Sequence, residues 1–274
     1  MWKAMSRGEK EVNRAVLVSV ETFDPGVELS RRPGAGRDTK RLHRVLRKLG
    51  FKVDIHSDLT AREIYALFQK ESKKTVEGCF LAVFSTHGEE GCVFGADGEP
   101  VRLSRIFSYF NNPHMEGKTK MFFIQACRGH ELDAGVEVET DAAGSEDTED
   151  TFAQYQSIPI DTAVMYATVP GYAAFSHPLG AVFLQTLCDL LEEEGGRGLE
   201  LTRLTTRLSH RVAFRFQAKG RHLAGKKEMP CLVSRLTRDV FPFAEPGKEC
   251  EEKGLSTTSL VSTDNIRPRK HSIS

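Results

Sequence analysis

Clustered cysteines are absent from this sequence of 274 residues. The chain has six cysteines, and no two of them form a CxxC pair. Structural zinc sites and disulfide frameworks need cysteines at short, repeated spacings, so neither is expected here. Unpaired thiols persist in a reducing compartment, and we therefore expect a cytoplasmic protein. The cysteines are Cys79, Cys92, Cys127, Cys188, Cys231 and Cys250.

Long apolar runs and an excess of charge are also missing. No apolar stretch approaches the roughly 18 residues of a membrane helix, and residues 1–12 lack the apolar centre of a secretory signal. The 38 Lys and Arg residues are balanced by 38 Asp and Glu residues. A globally basic nucleic-acid-binding protein is therefore excluded. We expect neither a membrane nor a nucleic acid as a partner.

What the sequence does contain is a regular alternation of apolar patterns. Short β-rich runs alternate with segments whose apolar residues recur every three or four positions, which is typical of a parallel sheet flanked by helices. The predicted strands are 14–20, 51–55, 79–86, 120–126 and 163–169, with a last one inside 229–243. The predicted helices are 37–50, 103–110, 181–194 and 199–217, a further helix begins at the Thr60–Glu63 capping box, and 92–101 is a predicted hairpin.

Two residues with catalytic chemistry follow neighbouring predicted strands. His87 comes after the strand 79–86, and Cys127 comes after the strand 120–126. Ligand sites in open α/β sheets form outside the carboxyl ends of the strands. A thiolate nucleophile needs a neighbour that stabilises or removes charge, and histidine is the usual one. Taken singly, a cysteine at a strand end is more often a small buried hydrophobe, and a histidine before glycine is more often a turn residue. The two together at adjacent strand ends, both near glycines, favour catalysis.

The residues around these two positions resemble the caspases, cysteine endopeptidases that cut after aspartate. The sequence QACRG surrounds Cys127 and STHGEEG surrounds His87. The resemblance covers about 13–243 and is greatest to the short-prodomain executioner caspases. It implies a three-layer α/β sandwich with a six-stranded, mostly parallel sheet and helices on both faces. It also implies that Cys127 is the nucleophile, that His87 is the acid/base, and that the N–H groups of Gly88 and Cys127 bind the oxyanion.

The resemblance also identifies the residues that would hold the substrate aspartate. Family members use two arginines and a glutamine, and Arg32 and Gln125 match one of each. The second arginine should follow the PGY sequence, and an ungapped alignment places Ser176 there. The adjoining substrate loop supplies Tyr172 and Phe175. With one guanidinium missing, we expect weakened binding of the substrate carboxylate.

An acidic segment separates the two halves of the pattern. Residues 131–150 hold nine Asp or Glu and no Lys or Arg, a composition typical of a solvated linker. Asp141, followed by Ala142, is the best caspase-type cut site, and Asp133 is a second one; an ordinary acidic loop is the alternative. The predicted division is an N-terminal segment 1–12, a large-subunit region 13–132, a cleavable linker 133–157, a small-subunit region 158–243 and a disordered tail 244–274.

The resemblance implies protein substrates with aspartate at the cut site, and it implies no metal and no cofactor. We expect a homodimer of large/small subunit pairs, joined at the last strand, and an upstream caspase as a possible activator. Two alternatives stay open. In the first, the chain is a weakly active or inactive caspase-like protein. In the second, it is a scaffold that regulates an active caspase by heterodimerisation.

Overall fold

A computed structural model describes residues 13–133, 155–218 and 223–244. The six strands of its central sheet are β1 (Arg14–Ser19), β2 (Lys52–Ser57), β3 (Cys79–Ser85), β7 (Thr119–Gln125), β8 (Thr162–Tyr166) and β11 (Cys231–Ser234). They lie in the order β11-β8-β7-β3-β1-β2, and all neighbours pair in parallel except β11 with β8. The predicted six-stranded, mostly parallel sheet is therefore confirmed.

The central strands are apolar along their whole length because both faces of the sheet are covered. Every residue of β3 and β7 is buried. One face carries α1 (Ala35–Lys48), α4 (Val182–Glu192) and α6 (Leu201–Arg215); the other carries α2 (Ala61–Glu71) and α3 (Leu103–Tyr109). The capping box at Thr60 and Glu63 is formed in full, as predicted for the start of α2.

Shorter elements decorate the sheet. The predicted hairpin is present as β5 (Cys92–Phe94) and β6 (Pro100–Arg102), and a third strand that was not predicted, β4 (Gly88–Glu89), pairs with β5. A second small hairpin, β9 (Ser176–His177) with β10 (Gly180–Ala181), was also not predicted. A 3-10 turn (Pro113–Met115) and a one-turn helix, α5 (Glu194–Arg197), complete the described elements.

Register determines which residues meet at the carboxyl edge of the sheet. Ser19 of β1 is opposite Ser85 of β3, and Ser85 is opposite Gln125 of β7. The three strands therefore end at one level, so the residues that follow them share one edge. None of the helices in the described ranges is long and apolar enough to cross a membrane.

Candidate active site

His87 and Cys127 follow the adjacent ends of β3 and β7. The Thr86 amide donates a hydrogen bond to the Gln125 carbonyl oxygen at 3.1 Å, which extends the strand pairing up to these two residues. Gly88 lies against the same place: a Cβ atom there would be 2.9 Å from the Ala126 side chain and 3.1 Å from the Cys127 carbonyl oxygen. Only glycine lets the two strand ends approach this closely.

The imidazole of His87 is oriented by a backbone carbonyl that no sequence pattern had indicated. Its Nε2 lies 2.8 Å from the Ser30 carbonyl oxygen, and its ring lies 5.4 Å from that of Phe23. Because a carbonyl only accepts, Nε2 carries the hydrogen and Nδ1 keeps its lone pair in the neutral ring. Burial lowers the pKa of His87, the Ser30 bond opposes that shift, and the Arg32 charge adds to it. A neutral imidazole with a free Nδ1 is suited to proton transfer.

The sulfur of Cys127 contacts the substrate loop, the segment 169–181 that carries β9 and β10. The Ala174 amide donates to Sγ at 3.4 Å, and the Ala174 carbonyl oxygen lies 3.7 Å from the same atom. Within the described residues, Cys127 makes no hydrogen bond to His87. The two groups share an edge, but the thiol is held by the loop.

Arg128 lies in the loop after β7, residues 126–131, which we call the nucleophile loop, and connects it to the neighbouring segments. The sequence analysis did not identify this role. Its guanidinium is buried, donates to Glu90 at 2.6 Å and to the Tyr155 hydroxyl at 3.3 Å, and stacks 4.0 Å from the centre of the Tyr166 ring. Hydrogen bonds and charge from Glu90 raise the pKa of Arg128 against the opposing effect of burial. One side chain thus connects the ends of β7 and β8 to the loop after His87.

The substrate loop is attached to the nucleophile loop by backbone hydrogen bonds. The Arg128 amide donates to the Tyr172 carbonyl oxygen at 3.0 Å, and the Gly171 amide donates back to Arg128 at 2.9 Å. A Cβ atom on Gly129 would lie 2.2 Å from the Gly171 carbonyl oxygen, so the contact requires a glycine. Tyr172, predicted to border a substrate pocket, bridges to Glu131 in this arrangement.

Arg32 lies beside the edge with its charge largely removed from solvent. It donates to the Val20 carbonyl oxygen at 2.9 Å and to the Ser85 hydroxyl at 3.2 Å, and it is only 6% exposed. Burial lowers its pKa to about 10, opposed by Asp38, Cys127 and Glu21. Its partner Ser85 lies opposite Gln125 at the ends of β3 and β7, so Arg32 shares the sheet edge that Cys127 follows.

Gln125 is the other residue predicted for that pocket, and it is 2% exposed. Its Oε1 atom is buried without a hydrogen-bond partner. Buried polar atoms are almost always hydrogen-bonded, so this oxygen retains the capacity to accept a hydrogen bond. Gln125 and Arg32 thus belong to the same edge as Cys127.

Ser176 lies on the β9–β10 hairpin next to the loop that carries Arg32. A Cβ atom on Gly34 would lie 2.3 Å from the His177 carbonyl oxygen, which shows how closely the two loops pack. Both Ser176 and His177 are exposed, and the His177 ring accepts the Leu179 amide through Nδ1 at 3.2 Å. The hairpin 176–181 contains no arginine or lysine.

Phe175 is held by a buried acid that the sequence reasoning did not identify. Its amide donates to Glu228 Oε2 at 2.7 Å, and its ring lies 5.1 Å from that of Phe216. Glu228 is 1% exposed, and its Oε1 has no partner. Burial raises the pKa of Glu228 to about 8, and the Phe175 bond offsets only part of that shift. The side chain is therefore mostly protonated near neutral pH.

Of the two predicted cut sites, only Asp133 lies within the described residues. The carbonyl oxygen of Asp133 accepts the Lys227 amide at 2.9 Å, whereas Asp141 lies outside the described residues. Two of the remaining cysteines, Cys79 and Cys188, are deeply buried. Burial raises the pKa of Cys79 and of Cys188 to about 12, so those thiols stay protonated. No group of three or more metal-ligating side chains occurs in the described ranges.

The chain is similar to known proteins over most of its length. A family model described as the caspase domain matches residues 12–241. Caspase-7 of Gallus gallus is 32% identical over 243 residues, covering 85% of this chain and 77% of the relative. Caspase-3 of Bos taurus is 34% identical over 241 residues, covering 84% of each. The crystal structure of caspase-1 from Spodoptera frugiperda superposes with a TM-score of 0.74 at 29% identity, covering 87% of this chain and 94% of the other.

Proposed function

The chain belongs to the caspase family, and on that premise we propose that it is a cysteine endopeptidase that cleaves proteins after aspartate, with apoptosis as its setting. One observation carries the proposal most. His87 and Cys127 follow neighbouring strands at one sheet edge, with Gly88 packed against the Cys127 backbone. That arrangement provides a nucleophile, a proton carrier and two backbone donors in one place.

The proposed chemistry uses these groups in two stages. The Cys127 thiol gives its proton to Nδ1 of His87 and attacks the carbonyl carbon of the scissile bond as a thiolate, and the oxyanion is held by the N–H groups of Gly88 and Cys127. Each such donor typically contributes about 3 kcal/mol to the transition state. His87 gives a proton to the leaving amine, so that an acyl thioester remains on Sγ. Water, deprotonated by His87, then hydrolyses the thioester and restores the thiol.

Activation, in this proposal, requires the substrate loop to release the nucleophile. The Ala174 amide donates a hydrogen bond to Sγ, and the residues just before the linker are bound to the same loop, because Glu131 exchanges backbone hydrogen bonds with Gly171 and Ala173. Cutting after Asp141 or Asp133, by an upstream caspase or by another copy, would loosen that connection. The loop could then move from Sγ and admit a peptide.

The aspartate pocket would hold its ligand with one guanidinium, that of Arg32, together with the amide of Gln125. Ser176 offers a hydroxyl but no positive charge. Charge-assisted hydrogen bonds contribute about 1.5–3 kcal/mol each, so we expect the pocket to discriminate aspartate from glutamate or asparagine less sharply than a pocket with two arginines.

Assembly into a dimer is proposed at β11, the edge strand of the sheet. Cys231, Leu232 and Val233 are half-buried, and β11 has a paired neighbour on one side only. An apolar edge strand favours pairing with another strand. We accordingly propose a dimer of large/small subunit pairs, divided near Asp141 in the processed protein.

A second function is favoured by one specific observation. The serine at position 176, together with the Ala174 contact on Sγ, fits a weakly active or inactive protein that regulates a caspase by pairing through β11. An intact His87 and Cys127 argue against a pure scaffold, which needs neither residue.

Covalent labelling of linker-cleaved protein with an electrophilic aspartyl ketone separates these functions. The protease should form one adduct, on Cys127, and the Cys127→Ala variant none. The Cys92→Ala variant, which removes another half-buried thiol away from β11, is the matched control and should label like the parent. Absence of any adduct on the cleaved parent would support the regulator.

A further inference from the structure

A row of basic side chains covers the outer face of α1. Arg37, Lys40, Arg44, Arg47 and Lys48 are all exposed. No acidic side chain in the described part of the chain forms an ion pair with any of them. We refer to Arg37, Lys40 and Arg44, which lie on one side of the helix, as the basic row.

Acidic residues near the helix do not neutralise this row. The only acid of α1 is Asp38, which points inward, is 1% exposed and accepts from the Ala181 amide and the Gln185 side chain. Asp189 and Glu192 of α4 both pair with Arg41, which leaves one net negative charge against the three positive charges of the row. The row therefore projects unbalanced positive charge from a chain whose net charge is zero.

The basic row borders an open cleft near the substrate loop. The cleft has a volume of about 580 Å³, and Leu179, at the tip of the β9–β10 hairpin, forms its far wall with an exposed fraction of 63%. The remaining lining comes from Arg37, Lys40, Arg41, Arg44 and Gln185. The hairpin that carries Ser176 thus contributes Leu179 to this cleft.

Complementary charge is concentrated in the chain itself. Residues 134–150 contain seven of the acids of the linker and no Lys or Arg. Four of the seven, Glu146, Asp147, Glu149 and Asp150, lie just after the proposed cut site at Asp141. We propose that the basic row is a docking site for this acidic segment of a second copy of the chain, which it holds while Asp141 of that copy enters the active site.

Distances along the two chains are compatible with simultaneous engagement. Arg37 is five residues from Arg32, so the near end of the row lies within about 19 Å of the aspartate pocket. Glu146 is likewise five residues after Asp141, a reach of about 17 Å in an extended peptide. The row spans about 10 Å along the helix axis, and the stretch from Glu146 to Asp150 spans about 13 Å when extended.

The inference rests on the proposed function, since it makes the linker a substrate. It also deepens that function, because a pocket with one arginine would gain selectivity from charges outside the cut site. Long-range attraction of this kind raises the association rate and weakens as salt is added.

Direct binding tests the docking site independently of catalysis. The receptor is the full chain carrying Cys127→Ala, with the seven acids of 134–150 changed to their amides so that its own linker cannot compete. The probe is a fluorescent peptide of residues 134–150. Anisotropy at low salt should show that this receptor binds the peptide, and that the same receptor with Arg37→Glu/Lys40→Glu/Arg44→Glu binds it at least tenfold more weakly. High salt should abolish the binding by the receptor with the intact basic row. Equal binding by both receptors, or binding of an RNA oligonucleotide without binding of the peptide, would overturn the proposal.

A matched control makes the same three changes of charge on a different helix, α6. Arg203, Arg207 and Arg215 are exposed on α6, and their triple change to Glu should leave peptide binding within twofold of the parent. Thermal melting of both triple variants verifies that the fold is intact.

Cleavage kinetics then link the site to activity. Linker-cleaved enzyme should process the full Cys127→Ala chain at Asp141, with a KM at least tenfold higher when the enzyme carries the α1 triple change. The kcat on that chain should stay unchanged. The kcat/KM for a short peptide whose only charged side chain is the aspartate at the cut site should also stay unchanged. An unchanged KM would contradict the docking site while the proposed function stands. Failure of the parent to cut even the short peptide would refute the proposed function, and the anisotropy result would still decide the docking site.

Discussion

The catalytic edge and the substrate loop are held in place by different kinds of interaction. The edge, formed by the ends of β1, β3 and β7, is fixed by paired parallel strands that are buried along their length. The loop 169–181 is held by a few contacts at backbone atoms and carries exposed residues at its tip. The contrast teaches that the residues of the loop can change without displacing the groups at the edge, because the two regions depend on separate interactions.

The largest expected effect concerns the edge. Cys127→Ala should abolish peptide hydrolysis, and His87→Ala should reduce kcat by roughly 10²–10⁴-fold, the usual contribution of general acid–base catalysis. Both follow from the positions of the two side chains at adjacent strand ends. Hydrolysis of an aspartyl fluorogenic peptide measures the loss, with urea unfolding to show that the fold survives. Activity retained in Cys127→Ala would disprove the nucleophile assignment.

Arg32 joins the two regions, and its removal should have the next largest effect. Arg32→Ala should lower kcat/KM for aspartyl peptides by about 10²-fold, which corresponds to about 2.7 kcal/mol. The reason is that no lysine or arginine stands on the hairpin 176–181 to replace it. Arg32→Lys, which keeps the charge but not the two-pronged geometry, should recover only part of the loss. A variant that falls in melting temperature but keeps the kcat/KM of the parent would assign Arg32 to structure alone.

Ser176→Arg sharpens the comparison by altering the loop only. A second guanidinium should raise kcat/KM for aspartyl peptides by about tenfold, or about 1.4 kcal/mol, and should increase the preference for aspartate over glutamate. Ser176→Gln is the control of similar reach without charge. A parent that already cleaves efficiently and does not respond to Ser176→Arg would mean that another cation holds the carboxylate.

The smallest effect on activity is expected at Glu228, which instead changes the stability of the fold in a way that varies with pH. Its pKa is raised from 4.5 to about 8 by burial, so the folded state keeps a proton that the unfolded state loses. Its contribution to stability is therefore complete below pH 4.5 and declines up to about pH 8, at a slope of about 1.4 kcal/mol per pH unit. Glu228→Gln keeps an acceptor for the Phe175 amide but does not titrate.

Urea unfolding of the Glu228→Gln and parent proteins at several pH values tests this. The stability of the variant relative to the parent should increase steadily from pH 5 to pH 8 and then level off. Glu77→Gln, which removes an exposed acid, provides the control. A difference that does not change with pH would show that Glu228 is ionised in the folded protein throughout this range.

The sequence by itself determined most of the architecture. Apolar runs identified the six strands of the sheet to within a few residues, and the Thr60–Glu63 pair marked the start of α2, because these patterns are local. Topology then predicted that the residues after the third and fourth strands would share an edge, and the structure brings His87, Gly88, Cys127, Gln125 and Arg32 together there. The boundaries at Asp141 and the roles of these residues stay predictions.

Only the tertiary structure revealed what orients and restrains the site. The Ser30 carbonyl is 57 residues from His87, Ala174 is 47 from Cys127, and Glu228 is 53 from Phe175. Such contacts leave no periodic trace, because a backbone carbonyl or amide carries no information about residue type. The same is true of the basic row on α1: its charges are visible in the sequence, but only packing shows that Asp38 points inward, that Arg41 is neutralised, and that a cleft separates the row from Leu179. Local patterns specify elements, whereas the partners of buried polar atoms are fixed only when distant segments meet.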